Sequence, residues 1–129
     1  MKTTIFQSVF CILVFATTVL CSCQKEDIIN ADYEISVNEQ FQLDFVSNPS
    51  TGYDWKWTNE PTVSIVETVS NNLILNPNPN PFFAGGVPGK VNWIFKGVKS
   101  GVDTIKFELC QPWNPNSSLE YKKFVVKVR

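Results

Sequence analysis

The chain has 129 residues, 43% of them hydrophobic, 13% aromatic and 18% charged, which is enough for one ordinary domain and too little for two. Its 11 basic and 12 acidic residues give a net charge of −1, a field too weak to gather a polyanion, so no nucleic-acid partner is expected. There is no histidine, which excludes Ser-His-Asp and Cys-His catalysis and removes the commonest zinc ligand and the neutral-pH general base, so neither a metal nor a cofactor is expected.

Residues 1–22 read as a secretory signal, with Lys2 as the positive n-region and Ile5 to Leu20 as an apolar stretch interrupted by Gln7, Ser8, Thr17 and Thr18. A transmembrane helix needs roughly 20 strongly apolar residues, and this stretch is shorter. The run Leu20-Cys21-Ser22-Cys23 resembles a bacterial lipobox, with a Leu three residues before a Cys and a small residue just before it. That resemblance implies a lipidated Cys23 as the first residue of the mature chain, and hence a membrane partner through the lipid. The following Gln24-Lys25-Glu26-Asp27 resembles the Lys-acidic tag that sends some Gram-negative lipoproteins to the outer face of the outer membrane; an ordinary polar linker is the alternative.

The expected organisation is a signal peptide at 1–22, a linker at 23–32 and one domain at 33–129, lipid-anchored in the cell envelope, at the outer membrane. Loss of Lys2 with the signal leaves 10 basic against 12 acidic residues, a charge of −2. Cys11 and Cys21 depart with the signal and Cys23 carries lipid, so Cys110 is the remaining thiol and no disulfide can form within the domain.

Beyond the signal the hydrophobic pattern has period two, with no stretch showing helical spacing. The runs are Tyr33 to Val37, Phe41 to Val46, Tyr53 to Thr58, Val63 to Val69, Val91 to Val98, Val102 to Cys110 and Glu120 to Val128, with Asn72 to Leu75 extending the fourth past a kink. This predicts an all-β, immunoglobulin-like antiparallel sandwich of about seven strands. The core faces read as Phe41, Leu43 and Phe45; Tyr53, Trp55 and Trp57; Ile105, Phe107 and Leu109; and Phe124, Val126 and Val128. Cys110 has the opposite parity from its neighbours and reads as structural.

The connections differ in character. Those after the first, third and fifth runs are short, whereas Ser47 to Gly52, Asn76 to Lys90 and Gln111 to Leu119 are mostly longer and rich in Pro, Gly and Asn. A chain that reverses at every connection puts these three at one end, which also receives the start of the first strand. Elaboration confined to one end reads as a binding surface on a rigid scaffold, against the alternative that this end merely tolerates insertions.

The residues of these loops carry a family resemblance. Asn48-Pro49-Ser50-Thr51-Gly52-Tyr53 is similar to the Asn-Pro-Thr-Thr-Gly-Tyr loop of the chagasin family, immunoglobulin-like inhibitors of papain-family cysteine proteases. Phe83-Ala84-Gly85-Gly86 resembles the family's Gly-x-Gly-Gly motif and Gln111-Pro112-Trp113 its Arg-Pro-Trp motif, all three in order and each in the expected loop. The resemblance covers roughly residues 33 to 129. It implies a non-enzymatic, reversible, competitive inhibitor that acts as a monomer, whose first loop plugs the protease cleft while the other two grip its flanks. Two residues depart from the family pattern: Phe83 stands at the first Gly, and Gln111 replaces the Arg and so removes a cation able to pair with an acidic group on the target.

The residues read by themselves agree. Pro49 fixes φ near −65° and Gly52 supplies a conformation that other residues avoid, so the first loop is pre-shaped. Gly85 and Gly86 allow a backbone to come close to a partner, or serve as a hinge. Asn76-Pro77-Asn78-Pro79-Asn80-Pro81 is polyproline-like and reads as a semi-rigid arm. Trp113, flanked by Pro112 and Pro115, is either a binding anchor or a cap over the sandwich. A glycan-binding or adhesion module, with Trp113, Phe82 and Phe83 stacking on sugars, is the alternative function. A carboxylate-based glycosidase is disfavoured because the three loops contain no acid, with only Asp54 and Glu120 at their margins.

Overall fold

The computed structural model describes residues 29–76 and 86–129. The signal, Cys23, the residues 24–27, and residues 77–85 with Phe82, Phe83, Ala84 and Gly85 lie outside the described residues. Seven strands are formed: β1 (Tyr33–Ile35), β2 (Gln40–Ser47), β3 (Asp54–Trp57), β4 (Val66–Leu75), β5 (Gly89–Gly97), β6 (Gly101–Cys110) and β7 (Glu120–Val128). They make a four-stranded sheet in the order β1-β7-β6-β3 and a three-stranded sheet in the order β2-β5-β4. Among the described residues there is no α-helix, only the 3-10 turns Pro49–Thr51 and Glu60–Thr62. The fold is an all-β, immunoglobulin-like sandwich.

The alternation in the sequence becomes the two faces of each sheet. On β2, Phe41, Leu43 and Phe45 are buried while Gln40, Gln42, Asp44 and Val46 are exposed, because a pleated strand sends successive side chains to opposite sides. Phe45, Phe95, Phe107, Leu43, Ile105 and Val126 form the deepest layer. Trp55 stacks on Phe45 with ring centroids 4.7 Å apart, and its indole N–H donates to the Val46 carbonyl at 2.9 Å. Trp57 meets Phe95 edge-on at 5.1 Å and donates to Asn59 Oδ1 at 3.0 Å. Both rings therefore bury their apolar bodies with their polar atoms satisfied, which assigns them to the fold.

Tyr53 departs from this row, lying half-buried just before β3 and outside the core cluster. Cys110 is buried, as a structural residue would be. Leu109 and Phe124 are partly buried and pack against the core.

Three features were not legible as alternation. First, β1 ends at Ile35, because the chain turns at Asn38 with φ 71°. Second, β1 pairs with β7 in parallel, Tyr33 opposite Val126 and Ile35 opposite Val128. The parallel sense follows from alternation: first and seventh strands run the same way, so becoming neighbours makes them parallel. That register also sets β1 against the far end of β7, six residues from Glu120, or roughly 20 Å from the loop end. The first strand thus does not start at the loop end as alternation alone implied. Third, the pairing of β4 with β5 slips between Thr68 and Ser70. This bulge is the kink between the fourth run and Asn72 to Leu75, which continue as one strand.

Candidate functional site

Strand register brings the elaborated connections together. Ser47 and Leu75 both lie opposite Gly89, Asp54 lies opposite Cys110, and Leu109 lies opposite Glu120. The ends of β2, β4 and β6 and the starts of β3, β5 and β7 therefore share one edge of the sandwich, and the loops 48–53, 76–88 and 111–119 leave from it.

The first loop is held by its own side chains. The Asn48 carbonyl accepts both the Thr51 backbone N–H at 3.1 Å and the Thr51 hydroxyl at 2.7 Å. The Ser50 hydroxyl donates to Asn48 Oδ1 at 2.6 Å, and the Gly52 N–H closes the turn on the Pro49 carbonyl at 3.1 Å. Gly52 has φ 77°, the left-handed region that costs other residues about 1–2 kcal/mol. Pro49, Ser50 and Thr51 are exposed. Both apex hydroxyls thus fix the shape of the loop, a role the sequence did not disclose for Ser50 and Thr51.

Trp113 and Gly86, one from each of the other connections, pack on the first loop. The indole ring of Trp113 lies directly over Gly52, where a Cβ would collide with Cη2. Gly86, at φ 88°, lies against the Ser50 side chain, and a Cβ there would collide with Ser50 Oγ. The loop 111–119 is itself cross-linked: the Ser117 hydroxyl accepts from the Gln111 N–H at 2.8 Å and donates to the Asn114 carbonyl at 2.7 Å, while the Asn114 N–H donates to the Gln111 carbonyl at 2.9 Å. Trp113 stays 69% exposed on this frame, so it presents its outer face rather than capping the core. Pro112 is exposed and Gln111 half-buried. Asn48, Pro49, Ser50, Thr51, Gly52, Tyr53, Gly86, Gln111, Pro112 and Trp113 thus gather at one tip, while Ala84 and Gly85 lie outside the described residues.

A cleft of 350 Å³ opens beside this tip, lined by residues that include Pro49, Tyr53, Leu73, Val91, Pro112 and Trp113. Leu73 and Val91 were not singled out from the sequence; both come from strands, and only long-range register brings them beside the loops. Among the described residues, the two carboxyls held below their ordinary range lie on strands instead. Hydrogen bonds from Arg129 and Lys127 lower Glu34, and hydrogen bonds from Asn92 and Lys90 lower Asp44. Among the described residues no group of three or more Cys, Asp or Glu is placed to hold a metal.

Comparison with known proteins decides the family. Residues 34–128 match the family described as Chagasin family peptidase inhibitor I42. The chain belongs to the chagasin family. As a chagasin-family protein it is an inhibitor of papain-family cysteine proteases, and it is not an enzyme. It is similar to Amoebiasin-2 of Entamoeba histolytica, with 32% identity over 125 residues that cover 94% of this chain and 96% of the relative. Its fold resembles the crystal structure of the cysteine protease inhibitor EhICP2 from Entamoeba histolytica, with a TM-score of 0.58 and 24% identity over 76% of this chain and 88% of that one. The chagasin-family match spans all seven strands but for the residue that opens β1.

Proposed function

We propose that this inhibitor acts through its loop tip, with Asn48–Tyr53 entering the active-site cleft of a papain-family protease and with Ala84, Gly85 and Gly86 on one flank and Gln111, Pro112 and Trp113 on the other. The observation that carries this is the packing of Trp113 on Gly52 and of Ser50 on Gly86, which joins the described residues of the tip into one surface. A surface already ordered loses little conformational entropy on association. The first loop offers hydroxyls engaged within the loop and no thiol or electrophilic side chain, so the complex is reversible and non-covalent, and blocking the cleft is competitive with substrate.

The test is titration of the purified domain against papain at several substrate concentrations, with mass analysis afterwards. Competitive kinetics with the inhibitor intact support the proposal. Inhibition that substrate cannot relieve, or cleavage between Pro49 and Gly52, overturns it.

We also propose that the mature chain is a monomer that begins at a lipidated Cys23 and resides at the outer membrane, facing outward. The lipobox-like Leu20-Cys21-Ser22-Cys23 and the Lys25-Glu26-Asp27 run support this reading. Cys23→Ser should move the protein out of the membrane fraction. A mutant recovered there with its acyl chain would overturn it.

A further inference from the structure

We infer that the cleft beside Gly52 is a subsite that receives an apolar side chain from the protease surface, and that Leu73 on β4 helps to decide which proteases fit. The inference rests on the reading of the loop tip as the protease-binding surface and extends that surface onto a strand.

The bulge in β4 puts Leu73 there. Before the bulge, Val66 and Thr68 stand opposite Gly97 and Phe95 and face the other sheet; after it, Asn71 and Leu73 stand opposite Trp93 and Val91. Directly opposed residues share a face, so Leu73 lies on the same side as Val91, which is only 4% exposed. The inward parity passes from even to odd numbers because one extra residue shifts the phase of the strand. Without that shift Leu73 would point to the outer surface.

Among the described residues nothing covers Leu73 fully. What it meets is the cleft walled by Pro49, Pro112 and Trp113, with Ser47, Asp54 and Asn71 as its polar lining, and Leu73 remains 49% exposed. Among the described residues no basic one lines the cleft, and Asp54 is the acid that does. An apolar side chain suits this lining better than an anionic group does. The cleft shares Gly52 and Trp113 with the tip, so a protease seated on the loops would reach it without a second binding mode. Covering the open half of a leucine is worth about tenfold in affinity.

Leu73→Thr tests the inference, since Thr keeps the strand propensity of the site while removing its apolar reach. A second variant, Leu73→Trp, fills the cleft. Inhibition constants of both, against papain and two other papain-family enzymes, are read beside their melting temperatures. The expected result is weakening of about tenfold against at least one enzyme, by factors that differ across the panel, with melting unchanged for Leu73→Thr. Wild-type constants for both variants on every enzyme would overturn the inference and leave the loop-tip reading standing. Early melting with the same loss on every enzyme would assign Leu73 to internal packing and overturn it too. A wild-type protein that inhibits none of the three would overturn both.

Discussion

The ring of Trp113 rests on the backbone of Gly52, so a residue of the loop between β6 and β7 is shaped to one of the loop between β2 and β3. The position opposite the ring must therefore lack a Cβ. Conformation imposes the same requirement independently, because Gly52 sits at φ 77°.

Gly52→Ala should therefore fail in two ways at once. The left-handed backbone costs about 1–2 kcal/mol for a residue with a side chain, and the new methyl displaces the Trp113 ring. A lowered urea midpoint together with weakened inhibition is expected. If the variant inhibits like the wild type, the contact between these residues does not matter to binding.

Trp113→Ala should separate binding from folding. At 69% exposure the ring contributes little to the core, whereas truncating a hot-spot Trp typically removes about 2 kcal/mol or more of binding, roughly 30-fold in dissociation constant. The melting temperature should stay near wild type. Trp55→Ala, with its ring 3% exposed and stacked on Phe45, should instead cost about 3–5 kcal/mol of stability. Calorimetry and inhibition constants on the two mutants suffice to check this.

Lys122 continues the inward row of β7, where Phe124, Val126 and Val128 follow it. Its ammonium sits 5.0 Å from the centre of the Trp55 ring and 5.6 Å from that of Phe45, and pairs with Glu120 at 3.4 Å. Replacement by Ala removes the stem that shields these rings as well as the cation, and should cost about 1 kcal/mol. Glu120→Gln should have a much smaller effect, since an exposed ion pair adds little. Chemical denaturation of both variants ranks the two contributions.

Acid sensitivity should come from carboxylates on the strands. Glu34 is lowered from its ordinary 4.5 by Arg129 and Lys127, and Asp44 from 3.8 by Asn92 and Lys90. Folding thus favours their ionised forms; that contribution is complete above the ordinary values and disappears as pH falls through the lowered ones. With no histidine in the chain, the melting temperature should be level between about pH 5 and pH 8 and decline below about pH 4. Glu34→Gln combined with Asp44→Asn should flatten the acid limb, and both groups are exposed enough that the change stays small. A steep decline near pH 6 would contradict this assignment.

Much of this architecture was legible in the sequence because a strand with one buried face must alternate, and Phe41, Leu43 and Phe45 do so without exception. The loop tip was legible for a related reason: reversal at each connection sorts loops by parity, whatever the order of strands in the sheets. What alternation could not disclose depends on partners far away in the chain. The pairing of β1 with the last residues of β7 is one case. The phase change at Val69 is another, since it passes the inward parity from Val66 and Thr68 to Asn71 and Leu73. Within the first loop, the hydrogen bonds that tie Ser50 and Thr51 to Asn48 were not legible either.

The register of β1 has a consequence for how an anchored inhibitor would search for its target. Tyr33 joins the sheet beside Val126, well away from the tip, so a tether starting at a lipidated Cys23 would reach the domain at its flank. The nine residues between Cys23 and Tyr33 span at most about 30 Å. If the chain is so anchored, a flank attachment would let the domain tilt and its tip reach over a shell of that radius, instead of pressing it against the bilayer. Confinement to such a shell raises the effective concentration of the inhibitor for any protease held at the same surface to about the millimolar range. Lengthening the linker would dilute that advantage while leaving the intrinsic inhibition constant unchanged.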